Sequence, residues 1–407
     1  MKPSMQQAAP EELAMNGGTP VRSEFLPLTR PWIGDEEKRE VMDTLDGVWL
    51  SRGPKVTQFE NDFKNYTGAG HAIAVSSCTA ALHVSIVAAG VTEGDEVITS
   101  PITFPATTNA VLYERATPVL VDVDRRTFNI DPNRIEEKIT SRTKAIIPVH
   151  MAGQPCEMDA ILEIARRRNL KVIEDAAHAI GAKYGEKHAG AMGDAGCFSF
   201  YASKNLVTGD GGMITAEEDK FAEFARVISL HGMSNSAWKR YSKEGSLSWE
   251  LVYPGFKYNM TDIEASLGIH QLAKIERITS LRQKWTDLYD LLLGDIPELA
   301  VPYRAPGRRN ACHLYILTLD LDRLTVTRDR FVEMLKAENI GCGIHFVSVH
   351  LQPYYQKRFG FASKDFPNAA WVSDRILSLP LFPQMTETDV QDAARAVRKI
   401  VVRTRRS

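Results

Sequence analysis

The sequence predicts an α/β protein: a large domain with a mainly parallel, seven-stranded sheet covered by helices, then a smaller α+β domain. Three observations carry this. Short apolar runs of strand length recur at residues 72–76, 96–99, 118–123, 145–149, 171–175, 196–200 and 213–215, with helical stretches between most of them. Such alternation marks strand–helix–strand units, whose crossovers force a parallel sheet with helices on both faces. The clearest helix lies at 158–167, where Met158, Ile161, Leu162 and Ala165 recur at helical spacing. Finally, 407 residues at 44% hydrophobic and 25% charged are enough for two domains with a large core.

Taken in order, residues 1–24 read as a loosely held arm, polar and ending in Gly17-Gly18-Thr19-Pro20-Val21-Arg22. The large domain is expected over 25–280. It opens with a helix at 36–45, with Val41, Met42 and Leu45 on one side, and a loop at 49–54 closed by Gly53-Pro54. The alternating pattern follows. Residues 233–254 break it: Ser234, Asn235, Ser236, Ala237, Trp238, Lys239, Arg240 and Tyr241 lead into a Ser/Gly/Glu stretch, read as a mobile excursion. Helices are expected at 261–278 and 281–293, and the join near 280 is taken as the domain boundary. The small domain, 281–407, mixes strand runs at 313–319 and 340–346 with helices at 329–338 and 387–402. Arg403 to Arg406 read as a solvated helix tail.

Charge and cysteine usage exclude several classes. A formal net charge of -2 gives no reason to expect nucleic acid or an anionic membrane as partner. Cys78, Cys156, Cys197, Cys312 and Cys342 are odd in number and widely spaced, with no Cys-x-x-Cys. They read as free thiols in a reducing cytoplasm, with no metal site. No uncharged apolar run is long enough to span a bilayer, and the start of the chain lacks the apolar core of a signal peptide.

Three motifs carry the chemistry. Lys204 stands just past the run 197–201 and before Thr208-Gly209-Asp210-Gly211-Gly212, with Ser199 five residues upstream. A lysine on a tight loop at a strand end can point inward, lose part of its preference for the charged form and become a nucleophile toward carbonyls; the alternative is a solvated loop lysine. Val172-Ile173-Glu174-Asp175 puts a carboxylate at the carboxyl end of a parallel strand, where open α/β sheets bind ligands. Asp175 could keep a pyridine nitrogen protonated, as a pyridoxal 5′-phosphate (PLP) electron sink requires, or simply cap the next turn. Ala74-Val75-Ser76-Ser77-Cys78-Thr79 runs from a strand into a helix start. That suits a phosphate cradle, or an ordinary Ser/Thr N-cap.

Together the motifs resemble the DegT/DnrJ/StrS family of PLP-dependent sugar aminotransferases. The match continues in order through Gly53-Pro54 with Phe59-Glu60, Gly94-Asp95-Glu96, Thr103-Phe104-Pro105, Val121-Asp122-Val123-Asp124, Val149-His150-Met151-Ala152-Gly153-Gln154-Pro155, His231-Gly232, Gly255 to Asp262 and His345-Phe346. The resemblance implies the fold-type I aminotransferase architecture and a set of roles. Lys204 matches the Schiff-base lysine and the base that moves a proton in transfer. Asp175 matches the pyridinium partner, and Phe104 the aromatic that stacks on the ring, with a core Phe as its alternative. His178 lies where a Gln or His approaches the cofactor's 3′ oxygen. The phosphate would meet the N–H groups of Cys78 and Thr79, the Thr79 hydroxyl and Ser199. Lys257 or Asn259 would complete the phosphate site of a neighbouring subunit, and the His345 segment would lie near substrate.

The chain departs from the family pattern in places. Cys78 stands where Gly is frequent and Asp210 where Glu is. Lys257 and Asn259 replace the usual Asn and Arg. Family dehydratases carry His in place of the lysine; this chain keeps Lys204, which favours amino transfer. The resemblance therefore implies an enzyme that takes an amino group from glutamate (or glutamine), releases 2-oxoglutarate and aminates a nucleotide-linked 4-keto-6-deoxy sugar by a ping-pong cycle. It also implies a homodimer with shared active sites. The Gly17–Arg22 arm resembles members acting on cyclitol ketones, and a regulatory protein of the same fold is the alternative of a different class.

Overall fold

The protein is described here by a computed structural model, which covers residues 11–233 and 250–406. All seven expected strands form and pair into one sheet. They are β1 (His71–Val75), β2 (Glu96–Thr99), β3 (Thr117–Leu120), β4 (Thr143–Ile147), β5 (Lys171–Asp175), and, after the short hairpin β6 (Lys183–Tyr184) and β7 (Lys187–His188), β8 (Ala195–Ser199) and β9 (Gly212–Ala216). Their order is β1-β9-β8-β5-β4-β2-β3. Every neighbouring pair is parallel except those made by β9, which runs antiparallel to β1 and β8. β2, β5, β8 and β9 are buried along most of their length, as strands covered on both faces must be.

The covering helices are α1 (Asp35–Asp46), α2 (Pro54–Thr67), α3 (Cys78–Ala88), α4 (Ala106–Tyr113), α5 (Met158–Arg168), α6 (Asp219–Ile228), α7 (Asp262–Ala273) and α8 (Ile275–Leu293). Local sequence sets their ends. Pro54 opens α2 and Gly68, at φ 72°, closes it. Thr261 and Glu264 form a capping box at α7. Asp262 does not join that cap. Its carboxylate accepts instead from the backbone N–H groups of Gly53, Lys55 and Val56, tying the start of α2 to α7.

The remaining elements are β10 (Leu299–Ala300), β11 (Arg308–Arg309), β12 (Tyr315–Leu319), α9 (Arg328–Ala337), α10 (Pro353–Phe359), α11 (Pro367–Arg375), β13 (Ile376–Leu379) and α12 (Glu387–Thr404). β10, β12 and β13 make a three-stranded antiparallel sheet. Its core joins Tyr289 and Leu293 of α8 to Phe331, Leu335, Val397 and Ile400.

Five local expectations are corrected. The helix break falls at Lys274, and residue 280 lies inside α8. Residues 340–346 form no strand. A Cβ on Gly341 would sit 2.6 Å from the Leu26 carbonyl; the segment makes only single bridges, Ile340 to Leu26 and Gly343 to Ser378, and β13 takes the place beside β12. Met42 and Leu45 of α1 face outward at 58% and 49% exposure, while Glu37 and Thr44 are buried. The basic tail is not a free helix end: Arg406 donates its N–H to Arg323 O, and Arg405 bridges Leu324.

The fifth correction concerns the arm, whose described part, 11–24, is pinned. The Ala14 and Val21 N–H groups donate to the two carboxylate oxygens of Glu338, each at 2.9 Å. Lys399 donates to Glu338 and to Thr19 O, and Arg22 reaches Asp389 and Asp392. Leu13 is buried in the core of α8, α9 and α12. Of the excursion expected at 233–254, residues 234–249 lie outside the described residues.

Candidate active site

A cavity of about 530 Å³ opens at the carboxyl edge of the parallel strands, where the topology of open α/β sheets places ligands. It gathers Cys78, Thr79, Phe104, Asp175, His178, Ser199, Lys204 and His345 from five separated stretches of the chain. Lys257 and Asn259 are not among its lining residues. They bond to each other, and Asn259 Nδ2 donates to Met260 O at 3.1 Å.

Lys204 sits on the turn after β8, its backbone N–H donating to Tyr201 O at 2.8 Å. Burial pulls its amine down to about 8 from an ordinary 10.5, against the opposing pull of Cys78 and Asp175. Among the described residues the amine has no hydrogen-bond partner. It is a desolvated amine facing open volume, not a solvated loop lysine.

Asp175 ends β5. Its Oδ2 accepts from the Thr107 hydroxyl at 2.7 Å and its Oδ1 from the Ala177 N–H at 3.1 Å. Burial nevertheless raises its carboxyl above the ordinary value. A carboxylate in that position gains from any cation brought beside it, since the pair offsets the desolvation. Thr107 in turn accepts from Thr103 at 2.7 Å, so the hydroxyl can offer its one proton to Asp175.

At α3 the Ser77 hydroxyl accepts from the Ala80 N–H at 3.1 Å. The N–H groups of Cys78 and Thr79, in the first turn, have no partner within the helix. The strand beside them must lack a side chain: a Cβ on Gly212 would lie 2.6 Å from the Ser77 carbonyl and 2.8 Å from the Cys78 N. Gly211 adopts φ 147°. These glycines keep the rim of the cradle bare, which fits an anion at the helix start. The Cys78 thiol is no nucleophile, because burial pushes it well above its ordinary value.

Phe104 is 60% exposed, so it is no core residue. Its ring lies 5.9 Å from that of Phe346. His178 accepts the Ala152 N–H at Nδ1 over 3.3 Å, stacks on Phe346, and burial holds it well below the ordinary histidine value. His345 pairs with the Ser378 hydroxyl at 2.8 Å, and burial pulls it to about 4.

Sequence reasoning missed Leu28, Thr29, His313, Leu314, Phe346, Leu379 and Leu381, which line the opposite side. Phe346 lay within the recognised pair His345-Phe346, whereas a lone His313 in an apolar run gave no signal.

The residues present fit PLP. One buried carboxylate, one desolvated amine, an anion cradle and an exposed aromatic ring converge on one volume. The match to a family model decides the matter: residues 31–398 match that of the DegT/DnrJ/EryC1/StrS aminotransferase family. The chain belongs to this family. It is a PLP-dependent sugar aminotransferase by that membership. It is 50% identical over 381 residues to the spore coat polysaccharide biosynthesis protein SpsC of Bacillus subtilis, covering 93% of this chain and 98% of SpsC. Among solved structures, DesI in the presence of its TDP-sugar product superposes with a TM-score of 0.86 at 30% identity, covering 96% of both chains. The PLP form of Spr1654 from Streptococcus pneumoniae gives 0.86 at 28%, covering 93% of this chain and 99% of the other. The fold-type I architecture expected from the sequence is thus the observed one. Among the described residues no helix is long and apolar enough to cross a membrane.

Proposed function

We propose that this enzyme takes the amino group of glutamate and places it on a nucleotide-linked 4-keto-6-deoxy sugar, by a ping-pong cycle. The observation that carries the reading is the convergence of Lys204, Asp175 and the bare helix start at Cys78 and Thr79 on one cavity, in a chain 30% identical to DesI, which was solved in the presence of its TDP-sugar product. A keto sugar brings hydroxyls, which threonine, tyrosine and histidine can meet.

In this reading Lys204 would hold the cofactor's aldehyde, and its amine would serve as the base for the proton at the substrate carbon. Asp175 keeps the ring nitrogen protonated. The N–H groups of Cys78 and Thr79, with Ser199, hold the phosphate. Phe104 covers the ring and His178 donates from Nε2 to the phenolic oxygen. PLP supplies the electron sink for the carbanion that amino transfer requires.

The working unit is a homodimer in the cytoplasm, with the five unpaired thiols supporting a reducing compartment. Exposed Met42, Leu45, Val48 and Leu50, all on α1 and the loop after it, support an apolar contact with a second copy. Lys257 and Asn259, turned away from their own cavity, would serve the partner's phosphate. The division of the chain into a large domain at 25–280 and a small one at 281–407 then falls within α8, whose Ile275 and Ile278 pack in the core of the large domain and whose Tyr289 and Leu293 pack in that of the small one.

The test is spectroscopic. The PLP-loaded protein is treated with glutamate, freed of it and titrated with keto sugars and cyclitol ketones. Restoration of the visible band by a nucleotide-linked 4-keto sugar supports the proposal. Restoration by a cyclitol ketone alone would move the substrate to that class. No response to glutamate would sink amino transfer from that donor.

A further inference from the structure

Beside His178 in the cavity stands His313, whose ring centroid is 4.4 Å away. Both rings are buried. Their hydrogen bonds assign opposite tautomers. The amide nitrogen of Asn205 donates to Ala311 O at 2.7 Å, so its oxygen is the atom facing His313 Nδ1 at 3.1 Å. An amide oxygen only accepts, which puts the proton on Nδ1 and leaves Nε2 bare. His178 accepts at Nδ1 from a backbone N–H, so its proton is on Nε2. Burial holds both rings in the neutral form, and Lys204, Arg282 and His345 add to that.

The backbone around His313 is fixed as firmly as the ring. Arg282, buried and without a carboxylate partner among the described residues, donates from Nη1 to the carbonyls of Cys312, His313 and Leu381 at 3.3, 3.2 and 3.0 Å. Cys312 is held at φ 50° with its N–H on Asn310 Oδ1 at 2.7 Å. Asn205, the neighbour of Lys204 in sequence, thus ties the small-domain wall to the lysine loop. His313, which lines the cavity, keeps the lone pair of its Nε2. Among the described residues nothing donates to that lone pair.

We propose that His313 is a substrate-binding residue: its Nε2 accepts a hydrogen bond from a hydroxyl of the keto sugar, and Asn205 is the positioning residue that fixes the tautomer. The inference rests on the proposed function. A bare imidazole nitrogen repels the cofactor's phenolic oxygen, which is an acceptor, and therefore selects a group that carries a proton. The substrate side of the site is then set by a polar acceptor standing in a wall of Leu28, Leu314, Leu379 and Leu381.

Two measurements test this. In the cofactor-free protein, long-range proton–nitrogen spectra of the histidine rings, assigned with His313→Phe and His178→Phe, should show His313 protonated at Nδ1. Asn205→Leu should release that tautomer. A native His313 protonated at Nε2 would overturn the proposal. In the loaded enzyme, TDP-linked 4-keto-6-deoxyglucose is compared with analogues each lacking one ring hydroxyl. One analogue should bind about tenfold more weakly to the native protein, the size of one hydrogen bond to a buried acceptor. His313→Phe should erase that difference, and His313→Gln should restore part of it. If no analogue's penalty shrinks in His313→Phe, the assignment is wrong. A native protein that takes no amino group from glutamate defeats the proposed function instead, and the tautomer is still read independently.

Discussion

One wall of the cavity is made by the turns after β1, β5 and β8, carrying Cys78, Thr79, Asp175, Ser199 and Lys204. The facing wall is made by Leu28, Thr29, His313, His345 and Leu379, brought in by the N-terminal strap, β13 and the loops beside it. Residues of the first wall are placed mainly by their own stretches of chain, a helix start, a strand end and a glycine turn, with Thr107 holding Asp175 from a neighbouring element. Residues of the second are fixed across long sequence gaps, as when Leu381 donates its N–H to Leu28 O and Gly341 to Leu26 O. The first wall can hold a cofactor common to a whole family. The second can change residue by residue without disturbing the first, so we assign the ketone's identity to it.

Removing Lys204 strikes the first wall hardest. Lys204→Ala should lose about 10³-fold or more in turnover, since one group serves as both anchor and base, while the unfolding midpoint holds or rises as a desolvated amine is removed. Steady-state turnover close to the parent would reject the role. Asp175→Asn comes next. It should bind PLP yet turn over at least about tenfold more slowly, about 1.4 kcal/mol of barrier. A rate within about threefold of the parent would show that the carboxylate is not needed on the ring nitrogen.

A subunit-exchange experiment asks whether the first wall is completed by a second chain. Lys204→Ala protein is mixed with Lys257→Ala/Asn259→Ala protein, each inactive alone. One site in each mixed dimer then has an intact lysine from one chain and an intact Lys257–Asn259 segment from the other. Activity should return in proportion to those sites. Continued inactivity despite demonstrated exchange would mean that the segment serves only its own chain.

The contrast between the walls also explains what could be read without coordinates. Asp175, Lys204 and the Ser77–Thr79 helix start were legible because their function needs a strand end or helix start beside a particular residue type, and both are written locally. All seven strands of the main sheet were legible for the same reason. The grip of Glu338 on Ala14 and Val21 was not, because a carboxylate near the end of α9 gives no hint that a strap more than 300 residues earlier will supply its donors. His313 was hidden likewise. Its tautomer depends on Asn205, across a gap of 108 residues.

Glu338→Gln loosens the second wall alone. It leaves Lys399 buried without its counter-charge, and breaking a buried pair costs about 3–5 kcal/mol. Chemical denaturation should show a loss of that size. The visible band of bound PLP should persist under native conditions, because Lys204 and Asp175 are untouched. Loss of the band in folded protein would show the two walls to be one cooperative unit.

The smallest effect concerns pH and again isolates the first wall. Lys204 is pulled down to about 8 by burial, so the folded protein gives up this proton earlier than the unfolded chain does. Between about pH 8 and the ordinary lysine value the unfolded chain binds more protons, and this group's contribution to stability rises with pH; below about 8 both states carry the proton and the full cost of burying the charge remains. The same titration governs reaction with an aldehyde, since only the neutral amine attacks. Loading of cofactor-free protein with PLP, followed by absorbance, should speed up about tenfold per pH unit below about 8 and level off above it. Lys204→Ala protein should show no such limb. A native rate that is flat between about pH 7 and 9 would mean that the amine is not desolvated, or that its deprotonation does not limit capture. The comparison of the walls would then lose its chemical anchor, leaving the lysine distinguished only by where the chain places it.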